Sequence, residues 1–357
     1  TAQEVTVTNT YEPTAIEVKP TDTDYPFKGE KILKGRAWDG TEKFGFILQA
    51  VTAGAPLPQP EMEDDGKRYT PYELTAAADT ADGKKVPFNF GSVKFTKPGK
   101  YVYNITENIP TGNGDKIAGV SYDSSFYRVT VTITDDGSGK LKMETPVIQK
   151  NGNTATDGTT VEFTNTFENK TETLNIEAKK VYQYNDEHNE TKPMTLTDGQ
   201  FHFKLEPATE NENKQQLNNT DIPMPVGAAN GVASAVNNAA GTITFADITY
   251  SLDNRDNGNI YYYLLTEDST NKQNNIDYST EKYLIKAEVS GEGTEAKPLR
   301  VTTTYFKDNN GTWTQVNGSD LIFTNTFTGE ATAKLGVSKS ISGRGWNDTD
   351  LFTFTLT

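Results

Sequence analysis

Cysteine is absent from the 357 residues, which excludes disulfides, zinc–thiolate centres and a cysteine nucleophile. Histidine is nearly absent. His188 and His202 are the two in the chain, leaving little scope for imidazole catalysis or metal binding. No apolar run approaches the roughly 20 residues of a membrane span. No N-terminal signal peptide is recognisable, and the stretch reads as the interior of a longer chain. Positive charge is in deficit: the net charge is −15 and the pI near 4.7. That argues against a sequence-blind grip on nucleic-acid phosphates, and it favours solubility without saying much about fold. Helical periodicity is scarce as well. What remains is rich in Thr, Asn, Asp, Gly and Tyr, with a mean hydropathy of −0.66. This composition suits short strands joined by polar turns.

Internal repetition organises the chain. "FTNTF" at 163–167 returns at 323–327, and a near-copy, "VTNTY", stands at 7–11. Alternation explains the Phe and Thr positions as a strand, but Asn is a poor strand former and needs another reason. Three further phrases recur in fixed order. "KILKGRAWDGTEKFGFIL" (31–48) aligns without a gap with "KSISGRGWNDTDLFTFTL" (339–356). The middle copy is more diverged, with "KKVYQY" at 179–184 and "FHFKL" at 201–205. "GKYVYNITE" (99–107) is answered by "NIYYYLLTE" (259–267), and "YDSSFYRVTVTITDDGSGKL" (122–141) by "YSTEKYLIKAEVSGEG" (278–293). Lys179 to Lys339, Glu107 to Glu267 and Asn165 to Asn325 are each 160 residues apart. The reading is therefore two whole repeats, 11–168 and 169–328. The last strand of a preceding repeat (1–10) and the first strands of a following one (329–357) flank them. Segments 52–85 and 207–240 read as long loops, with a helical turn possible in "YELTAAADTA". Each repeat is expected to be an all-β sandwich of seven or more strands, giving tandem Ig-like domains in an elongated array.

Each repeat supplies a Lys from its first strand, a Glu from a middle strand and an Asn from its last. In a Greek-key sandwich the first and last strands can be neighbours. Burial pushes a Lys towards the neutral amine and a Glu towards the protonated acid. A neutral amine is a nucleophile and a carboxamide a weak electrophile. An adjacent carboxylic acid can polarise the amide carbonyl and carry protons from attacking amine to leaving ammonia. Enforced proximity supplies effective molarities of about 10⁵ M or more. The product is a Lys–Asn isopeptide bond, made once per domain and not turned over.

With these residues in this order, the chain resembles the isopeptide-linkage repeats of Gram-positive pilins and fibrillar surface proteins. The resemblance rests on "KxLxGR…FxFxL", "GKYVYNITE", "YDSSFYRVTVTITDDGSGKL" and "FTNTF", and covers essentially the whole chain. It implies Ig-like sandwiches in which the opening Lys and closing Asn are joined with the help of the Glu. The implied sets are Lys31, Glu107 and Asn165, then Lys179, Glu267 and Asn325. Asn9 and Lys339 are the cross-link candidates of the partial repeats. Lys179 is preferred to Lys180 because Lys-x-apolar matches Lys31-Ile32-Leu33, and Lys31 to Lys19 because of its Gly-Arg-x-Trp context. The resemblance further implies a structural stalk or shaft, cell-wall-anchored on the outer surface, with no cofactor. Its partners would be neighbouring repeats, other pilin subunits through sortase-type linkage, and a host surface ligand.

Plainer readings stand beside these. One isolated triad would be a surface Lys, a strand-end Glu and a turn Asn; recurrence of all three in order argues otherwise. "DNRDNG" (253–258) resembles a calcium loop, but Arg255 stands where a ligand is needed, so a plain turn is expected. "DYPFK" (24–28) resembles the Tyr-Pro-x-Lys stretch through which some pilins are polymerised, which nominates Lys28 weakly. Trp38 and Trp346 occupy equivalent positions and read as packing residues. A host-binding adhesin module would use the long loops, which hold few aromatic residues. A glycosidase with paired carboxylates is disfavoured by the tandem repetition.

Overall fold

The structure, a computed structural model, describes residues 3, 5–111, 116–153, 160–208, 222–329 and 335–356. Its regular elements are β-strands, with a single 3-10 turn at Gly318–Asp320 among the described residues. The all-β expectation holds, and the strands fall into two sets of sheets that repeat one plan.

In the first set, a seven-stranded sheet runs Leu141–Met143, Phe126–Asp135, Gly99–Asn108, Phe44–Ala50, Lys67–Leu74 and Met62–Asp64, with Val147–Lys150 also on Phe126–Asp135. Facing it is a four-stranded sheet in the order Lys85–Asn89, Lys28–Lys34, Glu162–Phe167 and Val120–Ser121. Period-two alternation turns Phe44, Phe46, Leu48, Tyr103, Ile105, Val129 and Val131 into the core from the larger sheet. Leu33, Phe163 and Phe167 come from the smaller one. In the second set, a six-stranded sheet contains His202–Ala208, Ile260–Asp268 and Lys282–Ser290, and a five-stranded sheet contains Glu177–Asn185, Ile322–Phe327 and Ile276–Asp277.

One feature of the smaller sheets places the chemistry. The Lys-bearing strand was expected to be the first of its unit, but Ile16–Val18 and Thr171–Leu174 precede it; it lies side by side and parallel with the closing strand. Lys31 stands opposite Phe163 and Leu33 opposite Asn165. In the second unit Lys180 stands opposite Phe323 and Tyr182 opposite Asn325. The Glu-bearing strand crosses the other sheet, where Glu107 faces Phe46 and Glu267 faces Phe203.

The shared Gly-Arg-x-Trp phrase is structural. Gly35 has a φ of 95°, and a Cβ there would lie 2.0 Å from the Phe167 carbonyl oxygen, so the turn off the opening strand admits only glycine. Arg36 then lies over the Phe167 ring at 4.4 Å and pairs with Glu42 at 2.6 Å. Trp38 is buried edge-on to Phe44 at 5.2 Å, as its packing role requires.

Several loop readings need correction. Within 52–85, Met62–Asp64 and Lys67–Leu74 form a paired hairpin on the larger sheet, because Thr70, Tyr72 and Leu74 alternate onto its inner face, with Thr70 and Leu74 buried and Tyr72 packed against Phe88. "YELTAAADTA" therefore begins in a strand and holds no helical turn. Within 207–240, Ala233–Val236 pairs with His202–Ala208, while positions 209–221 lie outside the described residues. The flanking stretches expected as strands, 5–10 and 335–356, carry none. A strand exists by hydrogen bonding to a neighbour, and among the described residues neither stretch pairs with a sheet.

Candidate cross-linking site

Between the two sheets of each unit lies a charged cluster in otherwise apolar surroundings. Lys31 and Asn165 are 0% exposed and Glu107 6%. Lys31 Nζ donates to both oxygens of Glu107, at 3.0 and 2.9 Å. The Asn165 amide nitrogen donates to the same Glu107 Oε1 at 2.7 Å. One carboxylate oxygen thus touches the amine of one strand and the amide nitrogen of the other. The second unit repeats the arrangement. Lys180 Nζ donates to both oxygens of Glu267 at 2.8 Å, and Asn325 Nδ2 donates to Glu267 Oε1 at 2.8 Å.

The choice of Lys179 is corrected by this geometry. Along Glu177–Asn185 the inward positions are Ala178, Lys180 and Tyr182, so Lys179 projects outwards and is exposed. Strand alternation with Ala178 and Tyr182 as apolar flanks was the signal for Lys180; the Lys-x-apolar match to Lys31-Ile32-Leu33 was the wrong guide. Lys31 is the lysine at the first cluster, while Lys19 is exposed and paired with Glu17 at 3.3 Å. Glu107, Asn165, Glu267 and Asn325 stand where the sequence placed them. Asn9 and Lys339 are exposed and are brought to no such cluster; Lys339 Nζ lies over the Phe352 ring at 4.8 Å. Lys28 is exposed at a groove with Tyr25, Pro26 and Phe88. The "DNRDNG" stretch is a turn in which Asp256 accepts from the Ser251 N–H and the Tyr261 hydroxyl.

Burial shapes the protonation of the cluster. Desolvation lowers Lys31 to about 8, against the pull of Glu107, and lowers Lys180 to about 8 against Glu267. Desolvation raises Glu107 above the usual carboxylate range, with Lys31 and Asn165 opposing. Both shifts in the first unit favour the uncharged amine–acid pair over the ion pair.

Sequence reading missed the walls of the site. Lys31 Nζ lies over the Phe44 ring at 4.6 Å, and Lys180 Nζ over Phe201 at 4.5 Å. Tyr122 packs edge-on to Phe44 at 5.9 Å and Tyr278 to Phe201 at 5.6 Å, which closes the site beside the amine. The carboxylic acid was expected to polarise the Asn carbonyl, and here the geometry differs. Glu meets the amide nitrogen, while the carbonyl oxygen accepts a backbone N–H, from Asp123 at 2.8 Å and from Ser279 at 2.7 Å. The backbone N–H can only donate and so requires the amide oxygen as its acceptor, which fixes the amide orientation.

The fold is two tandem sandwiches, each with a buried Lys–carboxylate–Asn cluster between its Lys-bearing strand and its closing strand. The chain belongs to the FctA family, the Spy0128-like isopeptide containing domain, whose model matches residues 27–168 and again 176–328. It is a pilin family and not a family of enzymes. A pilin of Streptococcus pyogenes serotype M1 is 28% identical over 125 residues, and the match spans 29% of this chain and 34% of that pilin's length. The crystal structure of the major pilin from Streptococcus pyogenes matches with 21% identity over 84% of this chain and 96% of that one, at a TM-score of 0.37. The major pilin protein T3.2 of the same species matches with 15% identity over 84% and 95%, at a TM-score of 0.35.

Proposed function

We propose that each unit joins its own Lys and Asn, Lys31 to Asn165 and Lys180 to Asn325, and that the chain serves as a shaft segment of a surface pilus. The observation that carries this reading is the shared carboxylate oxygen in contact with both nitrogens. A proton passes from Lys Nζ to Glu, leaving a neutral amine and a neutral acid. The amine lone pair attacks the Asn Cγ, and the carbonyl π pair moves onto Oδ1. The attacking nitrogen's surplus proton passes through the carboxyl group to the amide nitrogen, the Oδ1 pair re-forms the carbonyl, and the C–N bond breaks to release ammonia. Ammonia takes the proton remaining on the acid and leaves as ammonium, and Glu is again a carboxylate. The reaction is intramolecular and happens once, so the protein is its own single-turnover substrate.

The position of the bond suits a fibre under tension. Force that draws the Lys-bearing strand and the closing strand apart shears two adjacent parallel strands against each other. Their hydrogen bonds would yield together with the register; a covalent amide fixes it. Closure of the 134 residues between positions 31 and 165 would contribute about 5 kcal/mol by the loop-entropy argument applied to disulfides. Unlike a disulfide, the amide is indifferent to reductants. Linkage to further subunits and attachment to the cell wall belong to the same reading, and the resemblance to pilins supports them.

Intact mass under denaturing conditions tests the chemistry. The wild-type chain is expected to be lighter than its sequence by two ammonia molecules. Glu107→Ala and Lys180→Ala are each expected to restore one, and Lys179→Ala none. A full, uncorrected wild-type mass overturns the reading.

A further inference from the structure

The Asn carbonyl oxygen is where negative charge develops when the amine attacks, and its partner is neither lysine nor glutamate. In both units it is a main-chain N–H, at 2.8 Å from Asp123 and 2.7 Å from Ser279. We propose that these two backbone N–H groups are the oxyanion donors of the cross-linking reaction, and that the "Tyr-Asp" and "Tyr-Ser" phrases exist to aim them. This rests on the isopeptide reading above and adds to it a group that touches a reacting atom.

Three features aim the donor. First, it follows a short strand paired with the closing strand itself, Ser121 opposite Thr166 and Asp277 opposite Thr326. Donor and electrophile therefore shift together and stay in register. Second, the preceding tyrosine is pinned at its far end: Tyr122 Oη accepts the Ile117 N–H at 3.1 Å, and Tyr278 Oη accepts the Gln273 N–H at 3.0 Å. Third, the donor residue's side chain folds back on the main chain. Asp123 accepts the Ser125 and Thr164 N–H groups, each at 2.9 Å, and Ser279 Oγ accepts the Glu281 N–H at 3.3 Å. The side chains differ in charge and the main-chain contact does not, so the common chemistry lies in the N–H.

The division of labour is then complete. Glu handles protons between the two nitrogens, and the N–H holds Oδ1 as the π pair arrives. Removing one such donor from an acyl-transfer site slows reaction about 10²–10³-fold. The cost is specific to the transition state, since the ground-state amide needs only an ordinary hydrogen bond there.

The test replaces one N–H by an oxygen. The full chain is prepared in urea with Ser279→Ala, and separately with the α-hydroxy analogue of alanine at 279, so that an ester stands in for the peptide bond. Each is diluted into native buffer, quenched in acid at intervals, and followed by intact mass and peptide mapping. Ser279→Ala, which keeps the N–H and loses the Oγ contact to the Glu281 N–H, sets the reference rate for closing the second unit's link. The ester chain is expected to close it about 100-fold more slowly, with the Lys31–Asn165 link unchanged as an internal control. An ester chain that matches Ser279→Ala overturns the proposal. The same comparison at Asp123→Asn, with and without the ester, decides the matter if the ester at 279 prevents folding. A wild-type chain that loses no ammonia overturns the isopeptide reading itself, which is a distinguishable result.

Discussion

The opening phrase of the repeat occurs once inside a complete sandwich, at 31–48, and once outside any sheet among the described residues, at 339–356. Their local structures agree closely. Gly35 and Gly343 have φ of 95° and 93°. Arg36 pairs with Glu42 at 2.6 Å and Arg344 with Asp350 at 2.7 Å. Trp38 meets Phe44 edge-on at 5.2 Å, and Trp346 meets Phe352 edge-on at 5.5 Å. Even the lysine finds its ring, 4.6 Å in one case and 4.8 Å in the other. Exposure separates the copies: Trp38 is 1% exposed and Trp346 56%. The phrase therefore encodes its own turn and aromatic pairing locally. Dryness, the carboxylate and the electrophile come from strands far away in sequence, and the chemistry belongs to them.

Truncating the two tryptophans should separate the copies most widely. Trp38→Ala is expected to cost about 3–5 kcal/mol, because it empties a core site ringed by Phe44 and its neighbours. Trp346→Ala removes the same ring from an exposed turn and should stay within about 0.5 kcal/mol. Chemical denaturation of the linked chain measures both. Equal costs would mean that 339–356 is packed against something as fully as 31–48 is.

A smaller effect distinguishes the copies by pH. The reactive pair holds one proton between Lys31 and Glu107. Burial lowers Lys31 to about 8 and raises Glu107, and the Asp123 carboxylate nearby raises both. With two protons the amine is blocked, and with none the acid is lost. The rate of ammonia loss from the first unit should therefore fall about tenfold per pH unit above about 8, and fall again on the acid side where Glu107 binds a second proton. Refolding from urea at a series of pH values, followed by mass, checks this. A rate that keeps rising beyond pH 9 would mean that the amine alone limits the reaction.

Much of this was legible in the sequence, and for identifiable reasons. Period-two alternation and repetition gave the sandwiches, and the ill-suited Asn within "FTNTF" marked the residue that meets the buried carboxylate at 165 and 325. Glu107 and Glu267 were legible because each ends an aromatic strand in the same phrase. Lys180 was legible only through its alternation with Ala178 and Tyr182, a signal that the Lys-x-apolar match of Lys179 overrode. The hairpin Met62–Leu74 was hidden by acidic, turn-like residues whose partners lie on the larger sheet. The carbonyl's N–H donor was illegible in principle: main-chain groups have no letter, and the residues that carry them are Asp in one unit and Ser in the other.

The smallest effect probes the local half of the comparison. Asp350 accepts from both terminal nitrogens of Arg344, at 2.9 and 2.7 Å, and from the Asn347 N–H at 3.0 Å. Arg344 is open to solvent, so the pair is screened and contributes little to stability. Asp350→Ala should loosen the turn that holds Trp346 against Phe352 and shift the Trp346 indole N–H resonance. The indole resonance of Trp38 and the denaturation midpoint of the linked chain should not move. About 1 M salt should shift the Trp346 resonance in the same direction, since screening there acts within about 3 Å. A midpoint that falls with Asp350→Ala would show that the second copy of the phrase is coupled to the complete units, and that its turn is not self-contained.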